Sequence, residues 1–400
     1  MHTTPPAIVS LDHILPSEPL LMMGAGPVPI PQRVAAANSI VINHLGDAMS
    51  KVVEQVKAMS RYVFQTQSPH VMGVAGPGSA AMEMAICNLV TPGDRVLSVC
   101  NGLFSRRLAE MARRVGGEVA LFEAPTDGIA DPALIDAALR KDRYAVLTIV
   151  QGETSNTVWN RHLPEICRIA KGHGCLVIVD AVCTLSTMPM DMDDWGVDAV
   201  ITGGQKGLSS IPGVSLIAFS EDAWEHIERR NAPMAHWCLD ARLADQFWSK
   251  KSYHYTAPVS GLLALHEALR LICDETLPVR FQRHRRCSLA LQAGIKGMGL
   301  ALYVPEAVRL NSVVGIRTPD GIAPDAVRRH MSQTHRVEIS GAFGLPILRI
   351  GQMGEQSRAH HLYRTLHALG SSMRANGAKV DLPTGVAELE RCLETPVSEP

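Results

Sequence analysis

The stretch Ala199–Ser220, AVITGGQKGLSSIPGVSLIAFS, sets Lys206 between two apolar runs, one ending near Ile201 and the other beginning near Val214. Each run has the length and composition of a buried strand. A lysine at a strand end ordinarily faces water as a solvated charge. Here Gly203, Gly204, Gly207, Ser209 and Ser210 surround it. Small residues on both sides predict that something bulky approaches this lysine closely.

The alternation of apolar run and polar turn extends along the chain in both directions. MSKVVEQVKAMSRYVFQT has apolar residues at helical spacing, and HVMGVAG reads as a strand entering a glycine turn. The helix SAAMEMAICNLV, the strand RVLSVC, the helix SRRLAEMARRVG, the strand EVALFEA and the helix DPALIDAALRK follow. The strand YAVLTIV, the helix LPEICRIAKGHG and the strand CLVIVDAV lead to the lysine stretch. Alternation of this kind predicts βαβ crossovers and an α/β fold with a mainly parallel, buried sheet. A boundary is expected near ICDETLPVRFQRHRRC, after the helix SGLLALHEALRLI. The reading is an N-terminal, Pro-rich arm over residues 1–20, a large domain over 21–278, and a smaller α+β domain over 279–400.

Composition narrows the function. With 46% hydrophobic residues among 400, the chain can bury a sizeable core. Lys plus Arg number 38 against 39 Asp plus Glu, so no basic footprint points to nucleic acid or an anionic membrane. Small-molecule substrates are the expected partners. Nine cysteines without a CxxC pair imply free thiols in a reducing compartment. The N-terminus lacks a basic segment followed by a long apolar one, no apolar run approaches ~18 residues, and the terminal PVSEP carries no address signal. A cytoplasmic location is expected. No His/Cys/Asp spacing suggests a metal site.

Ligands of open α/β sheets gather at the carboxyl ends of strands. At one such end, GVAGPGSAAME opens a helix at Gly78, Ser79 and Ala80, whose free N–H groups would suit a phosphate. An ordinary Gly/Pro turn would look the same. Residues 76–81 also fit G-x-G-x-x-A, the mark of a dinucleotide site. The acidic residue that should end the next strand is missing, since Asp94 precedes that strand. At a second end stands Asp180, a carboxylate after a run of aliphatics that is costly to bury without a cation or donor opposite. Lys206 follows 206 − 180 = 26 residues later, one strand step away. A strand-end acid, a strand-end lysine and an anion cradle together are the set that pyridoxal 5′-phosphate requires.

GSAAME, VDAV and GGQKGLSSIPG resemble the fold-type I, class-V aminotransferases, in the alanine-glyoxylate/serine-pyruvate group. The resemblance extends from GAGPVPIP to ILRIGQMG and includes NGLF, QGETSNT and YHYTAPV. It implies a PLP-dependent homodimer with sites at the subunit interface, built on a mainly parallel seven-stranded sheet with a smaller C-terminal α+β domain. It makes Lys206 the Schiff-base lysine and proton shuttle, and Asp180 the partner of the pyridinium nitrogen. Phe104 would stack on the cofactor ring and Val182 would close its other face. Thr154 would reach the phenolic oxygen, and Gln205 with Ser79 would help bind phosphate. Tyr253 and Thr256 resemble phosphate ligands donated by the partner subunit. Arg349, in LRIG, matches the arginine that clamps the substrate carboxylate, and Ala25, in GAGP, lies near the substrate.

The implied reaction moves an amino group from a small L-amino acid, alanine or serine, to glyoxylate or pyruvate. The C-terminal part also resembles pyridoxamine-pyruvate aminotransferase, a relative with an acidic side chain where this chain has Pro77. An NAD-binding oxidoreductase rests on the G-x-G-x-x-A match alone. His44 could line the entrance or cap a helix. His360, His361 and the basic run RHRR at 283–286 read as solvated helix faces.

Overall fold

The computed structural model describes residues 4–395, so the first three residues and the terminal PVSEP lie outside it. The central sheet has seven strands: β1 (Val71–Ala75), β2 (Arg95–Cys100), β3 (Glu118–Glu123), β4 (Val146–Val150), β5 (Leu176–Asp180), β6 (Ala199–Gly203) and β7 (Val214–Phe219). Their order across the sheet is β1-β7-β6-β5-β4-β2-β3. The pairs from β3 to β6 are parallel, whereas β7 runs antiparallel to both β6 and β1. The cause is local. Between β6 and β7 lies the lysine loop with no crossover helix, and a chain that returns without a crossover can only pair antiparallel.

Helices cover the sheet, which is why β4, β6 and β7 are buried at every position rather than at alternate ones. The helix Asp47–Phe64 shows how the sequence pattern achieves this. It buries Met49, Val53, Val56, Ser60 and Val63, one face at spacings of three and four, and ends at Gln65 in the left-handed region. The core includes Phe64, Leu89, Val146, Ile178, Ile201 and Phe219, all fully buried.

A second core gathers Leu291, Ile316, Met331, Leu348, Leu366 and Leu389 behind a three-stranded antiparallel sheet of β8 (Val313–Arg317), β9 (Ser340–Ala342) and β10 (Leu345–Gly351), in the order β8-β10-β9. Met23 belongs to this core, because Leu21–Met22 pairs in parallel with Val337–Glu338. The entering chain is thereby pinned to the C-terminal part and carried across the carboxyl edge of the large sheet. The Pro-rich arm before it is interrupted by one short helix, Leu11–Ile14, capped by Ser10. Among the described residues no helix is long and apolar enough to cross a membrane.

Within the basic run at 283–286, Arg283 and His284 depart from the expected solvated face, whereas Arg286 is exposed as expected. His284 is fully buried, its Nε2 accepting from Gly354 N at 2.9 Å. Arg283 donates to Gly354 O, Ser357 O and the Glu275 carboxylate. The helix Leu277–Gly297 packs these two side chains against the loop that follows β10, and both ring nitrogens of His284 find partners, Nδ1 at Arg280 O and Nε2 at Gly354 N.

Candidate active site

Asp180 ends β5, opposite Ile201 of β6. Lys206 follows β6 by three residues, so both side chains emerge at the carboxyl edge of the sheet. Asp180 is 5% exposed, and its Oδ1 accepts from Val182 N at 2.8 Å. Burial pushes its carboxyl up to about 7, against the opposing effect of that N–H. Burial also lowers the Lys206 amine from its ordinary value. Neither group has an ion-pair partner among the described residues.

The entering segment closes over the lysine. Lys206 Nζ donates to Ala25 O, and Ala25 N donates to Ser340 Oγ at 3.0 Å. Gly26 adopts φ 99°, and a Cβ there would stand 2.5 Å from Nζ. Only glycine meets both demands. The glycines within the lysine loop serve differently from the expectation that they make room for a bulky group. A Cβ on Gly204 would stand 2.5 Å from Val214 O, and one on Gly207 would run into Leu185 O. These two are small because the protein's own backbone passes there. Ser209, at φ 56°, accepts from Glu355 N at 3.1 Å and so latches the loop to the C-terminal part. Gly203 is the one that faces the cradle, its Cβ direction 3.3 Å from Gly78 Cα.

Gly78, Ser79 and Ala80 form the first turn of the helix Gly78–Leu89, which no side chain caps. Val182 packs on Gly78, where a Cβ would meet Val182 Cγ2 at 2.8 Å. Gln205 Oε1 is buried there without a partner. Phe104 is half-buried at the start of the helix Leu103–Arg114. Thr154 is buried, and its carbonyl accepts from Arg349 Nη1 at 2.7 Å. Arg349 also donates Nε to Gly341 O at 2.7 Å. At 5% exposure it has no carboxylate at ion-pair distance among the described residues, and burial lowers its guanidinium to about 10. Thus Lys206, Asp180, Ala25, Thr154, Val182, Gly78 and Arg349 converge on one edge of the sheet. Tyr253 and Thr256 do not join them within this chain. Tyr253 is 58% exposed, edge-on to His44 at 6.0 Å, and Thr256 is exposed. His44 caps no helix; its Nδ1 accepts from Ala257 N at 3.4 Å.

Two residues escape the sequence reading. Glu153, fully buried, accepts from Phe104 N, Ser105 N and Oγ, and Ser155 N and Oγ. It anchors the turn that presents Phe104. Arg107 places its guanidinium 4.8 Å over the Phe104 ring and donates Nη1 to Ser79 Oγ at 3.0 Å. Its only sequence signal is the helical spacing of three from Phe104, in a helix carrying four arginines.

The residues fit pyridoxal 5′-phosphate: an uncapped helix start, a buried acid and a half-buried amine, the last two with no ion-pair partner among the described residues. They do not fit a dinucleotide. The strand after the helix Gly78–Leu89 is β2, which lies five positions from β1 in the sheet, whereas the dinucleotide fingerprint needs neighbouring parallel strands.

The family described as Aminotransferase class-V matches residues 32–354. The alanine–glyoxylate aminotransferase of Drosophila melanogaster is 33% identical over 393 residues, covering 96% of this chain and 99% of its own. The ureidoglycine-glyoxylate aminotransferase structure from Bacillus subtilis superposes with a TM-score of 0.93 at 30% identity, covering 95% of this chain and all of its own. The pyridoxamine-pyruvate aminotransferase structure from Mesorhizobium loti gives 0.90 at 25% identity, covering 94% and 98%. The chain belongs to the class-V aminotransferases, on the fold-type I α/β scaffold, and is a pyridoxal 5′-phosphate-dependent enzyme.

Proposed function

We propose that this enzyme moves the amino group of a small L-amino acid, alanine or serine, to glyoxylate or pyruvate. The observation that carries the reading is Arg349, a buried guanidinium fixed by Thr154 O and Gly341 O with no carboxylate at ion-pair distance among the described residues. Its position would leave the fork free to clamp an α-carboxylate bidentately. The relatives named for alanine and glyoxylate support the same substrate class.

When bound, the cofactor supplies an electron sink for the bond broken at the substrate Cα. Lys206 Nζ would hold it and then move a proton at that carbon, a task suited to an amine whose proton is weakened by burial. Asp180 would face the ring nitrogen, and Phe104 and Val182 its two faces. Gly78, Ser79, Ala80 and Gln205 would cradle the phosphate, Thr154 would reach the phenolic oxygen, and Ala25 would border the substrate. Tyr253 and Thr256 would act in the site of a second copy in a homodimer. Their exposure supports this, as do the uncovered apolar side chains of Ile40, Val41 and Trp237. Nine free cysteines, six of them buried, are consistent with a reducing, cytoplasmic setting.

A panel of amino donors against keto acids, with free pyridoxamine among the donors, tests the reading. Alanine or serine with glyoxylate or pyruvate should give the highest kcat/KM. Pyridoxamine outrunning every amino acid would replace this assignment with that of the Mesorhizobium relative.

A further inference from the structure

Arg107 stands at the mouth of the cradle, in a helix whose other arginines lie at carboxylates. Its neighbour Arg106 pairs with Glu123, and Arg113 and Arg114 lie at Glu110. Arg107 has no carboxylate at ion-pair distance among the described residues, although it is half-buried. Instead it lies flat over Phe104 and donates Nη1 to Ser79 Oγ. A serine hydroxyl carries one proton and two lone pairs. With an arginine N–H on one lone pair, the hydroxyl proton is left to donate elsewhere, beside the uncapped first turn of the helix Gly78–Leu89. Gln205 borders the same space beside Gly203, and its amide Nε2 is the group able to donate to an anion.

We propose that Arg107 is a positioning residue for the cofactor phosphate: it turns the Ser79 hydroxyl into a donor toward the anion and adds an unneutralised positive charge behind it. The same guanidinium backs Phe104, so one side chain ties the ring-stacking element to the phosphate end. The inference rests on the cofactor reading of Lys206 and Asp180, and it is independent of which amino acid the enzyme takes.

The test uses equilibrium titration of the apoenzyme with pyridoxal 5′-phosphate, with pyridoxal, which lacks the phosphate, and with inorganic phosphate as competitor. Arg107→Gln should weaken pyridoxal 5′-phosphate roughly 10- to 100-fold, the worth of a charge-assisted hydrogen bond. It should leave pyridoxal within about twofold of the wild type and should abolish competition by inorganic phosphate. Arg107→Lys, which keeps the charge, should lose less. In a Ser79→Ala background, Arg107→Gln should cost clearly less than in the wild type, because the shared hydroxyl is already gone. Equal weakening of pyridoxal and its phosphate would mean that Arg107 acts only through Phe104 or the fold, and would overturn the proposal. So would unchanged affinity for the phosphate ester. A failure of the amino-donor panel would leave these titrations untouched, which separates the two readings.

Discussion

Asp180 carries the clearest electrostatic consequence of the site. Its carboxyl is raised from 3.8 to about 7 by burial, so the apoenzyme binds that proton more tightly than the unfolded chain does. A raised carboxyl lowers stability as pH climbs from the unfolded value through the folded one, and the cost is complete above about 7. Asp180→Asn should therefore stabilise the apoenzyme at pH 8 by up to roughly 4 kcal/mol and change nothing near pH 3. Urea unfolding at the two pH values measures this. The same variant should lose most turnover while retaining cofactor, because an amide cannot hold the ring-nitrogen proton. Arg349→Lys addresses the substrate instead. An ammonium cannot reproduce the fork, so kcat/KM for both amino and keto acids should fall about 10- to 100-fold, with cofactor retention little changed. Steady-state kinetics with both substrate classes checks it.

The helix Leu103–Arg114 owes its placement to one buried carboxylate. Its N-cap is Gly102, which has no side chain to offer, so Glu153 accepts from the first-turn N–H groups instead. Glu153→Gln leaves at least one of those donors facing an amide nitrogen. The expected loss is about 1–3 kcal/mol in urea unfolding, together with weaker stacking at Phe104. That stacking loss should appear as reduced affinity for pyridoxal and for its phosphate alike, unlike the pattern expected of Arg107. The lysine loop is held by a comparable web. Arg280 donates to Gly207 O and Ser186 O, and Ser209 holds Glu355 N. None of these contacts involves neighbours in the chain.

A single chain leaves Tyr253 and Thr256 outside its own site, and the proposed homodimer makes that arrangement testable. Each site would take Lys206 from one copy and Thr256 from the other. Random mixing of Lys206→Ala and Thr256→Ala subunits would make half the dimers mixed, each with one intact site. At limiting cofactor, activity should rise from near zero to about a quarter of the wild-type value. Activity no greater than the sum of the two parents would reject shared sites. In the wild type, borohydride should attach the cofactor to the peptide bearing Lys206, and a label on any other peptide would remove that residue from its role.

Much of the architecture was legible along the chain because strands buried on both faces and amphipathic helices are written in local periodicity. The carboxyl-edge position of Asp180, the lysine loop and the uncapped start at Gly78 follow from that pattern, since each abuts the end of its own element. The antiparallel direction of β7 against β6 stands in the sequence too, since GGQKGLSSIPG has no room for a crossover helix. The pairing of β7 with the distant β1 is settled only by the folded sheet. So are the roles of Gly204 and Gly207, whose neighbours are backbone atoms of other segments. The sequence marks Arg349 as one arginine in a strand; its fork is set by Thr154 O, 195 residues away. Ala25 O reaches Lys206 Nζ across 181 residues. Glu153 and Arg107 are ordinary charges in the sequence and acquire their partners only when Phe104, Ser79 and Ser105 are brought against them. Local pattern encodes which face of an element is buried, whereas the partner of a buried charge is chosen by packing between elements, and only the tertiary structure decides that.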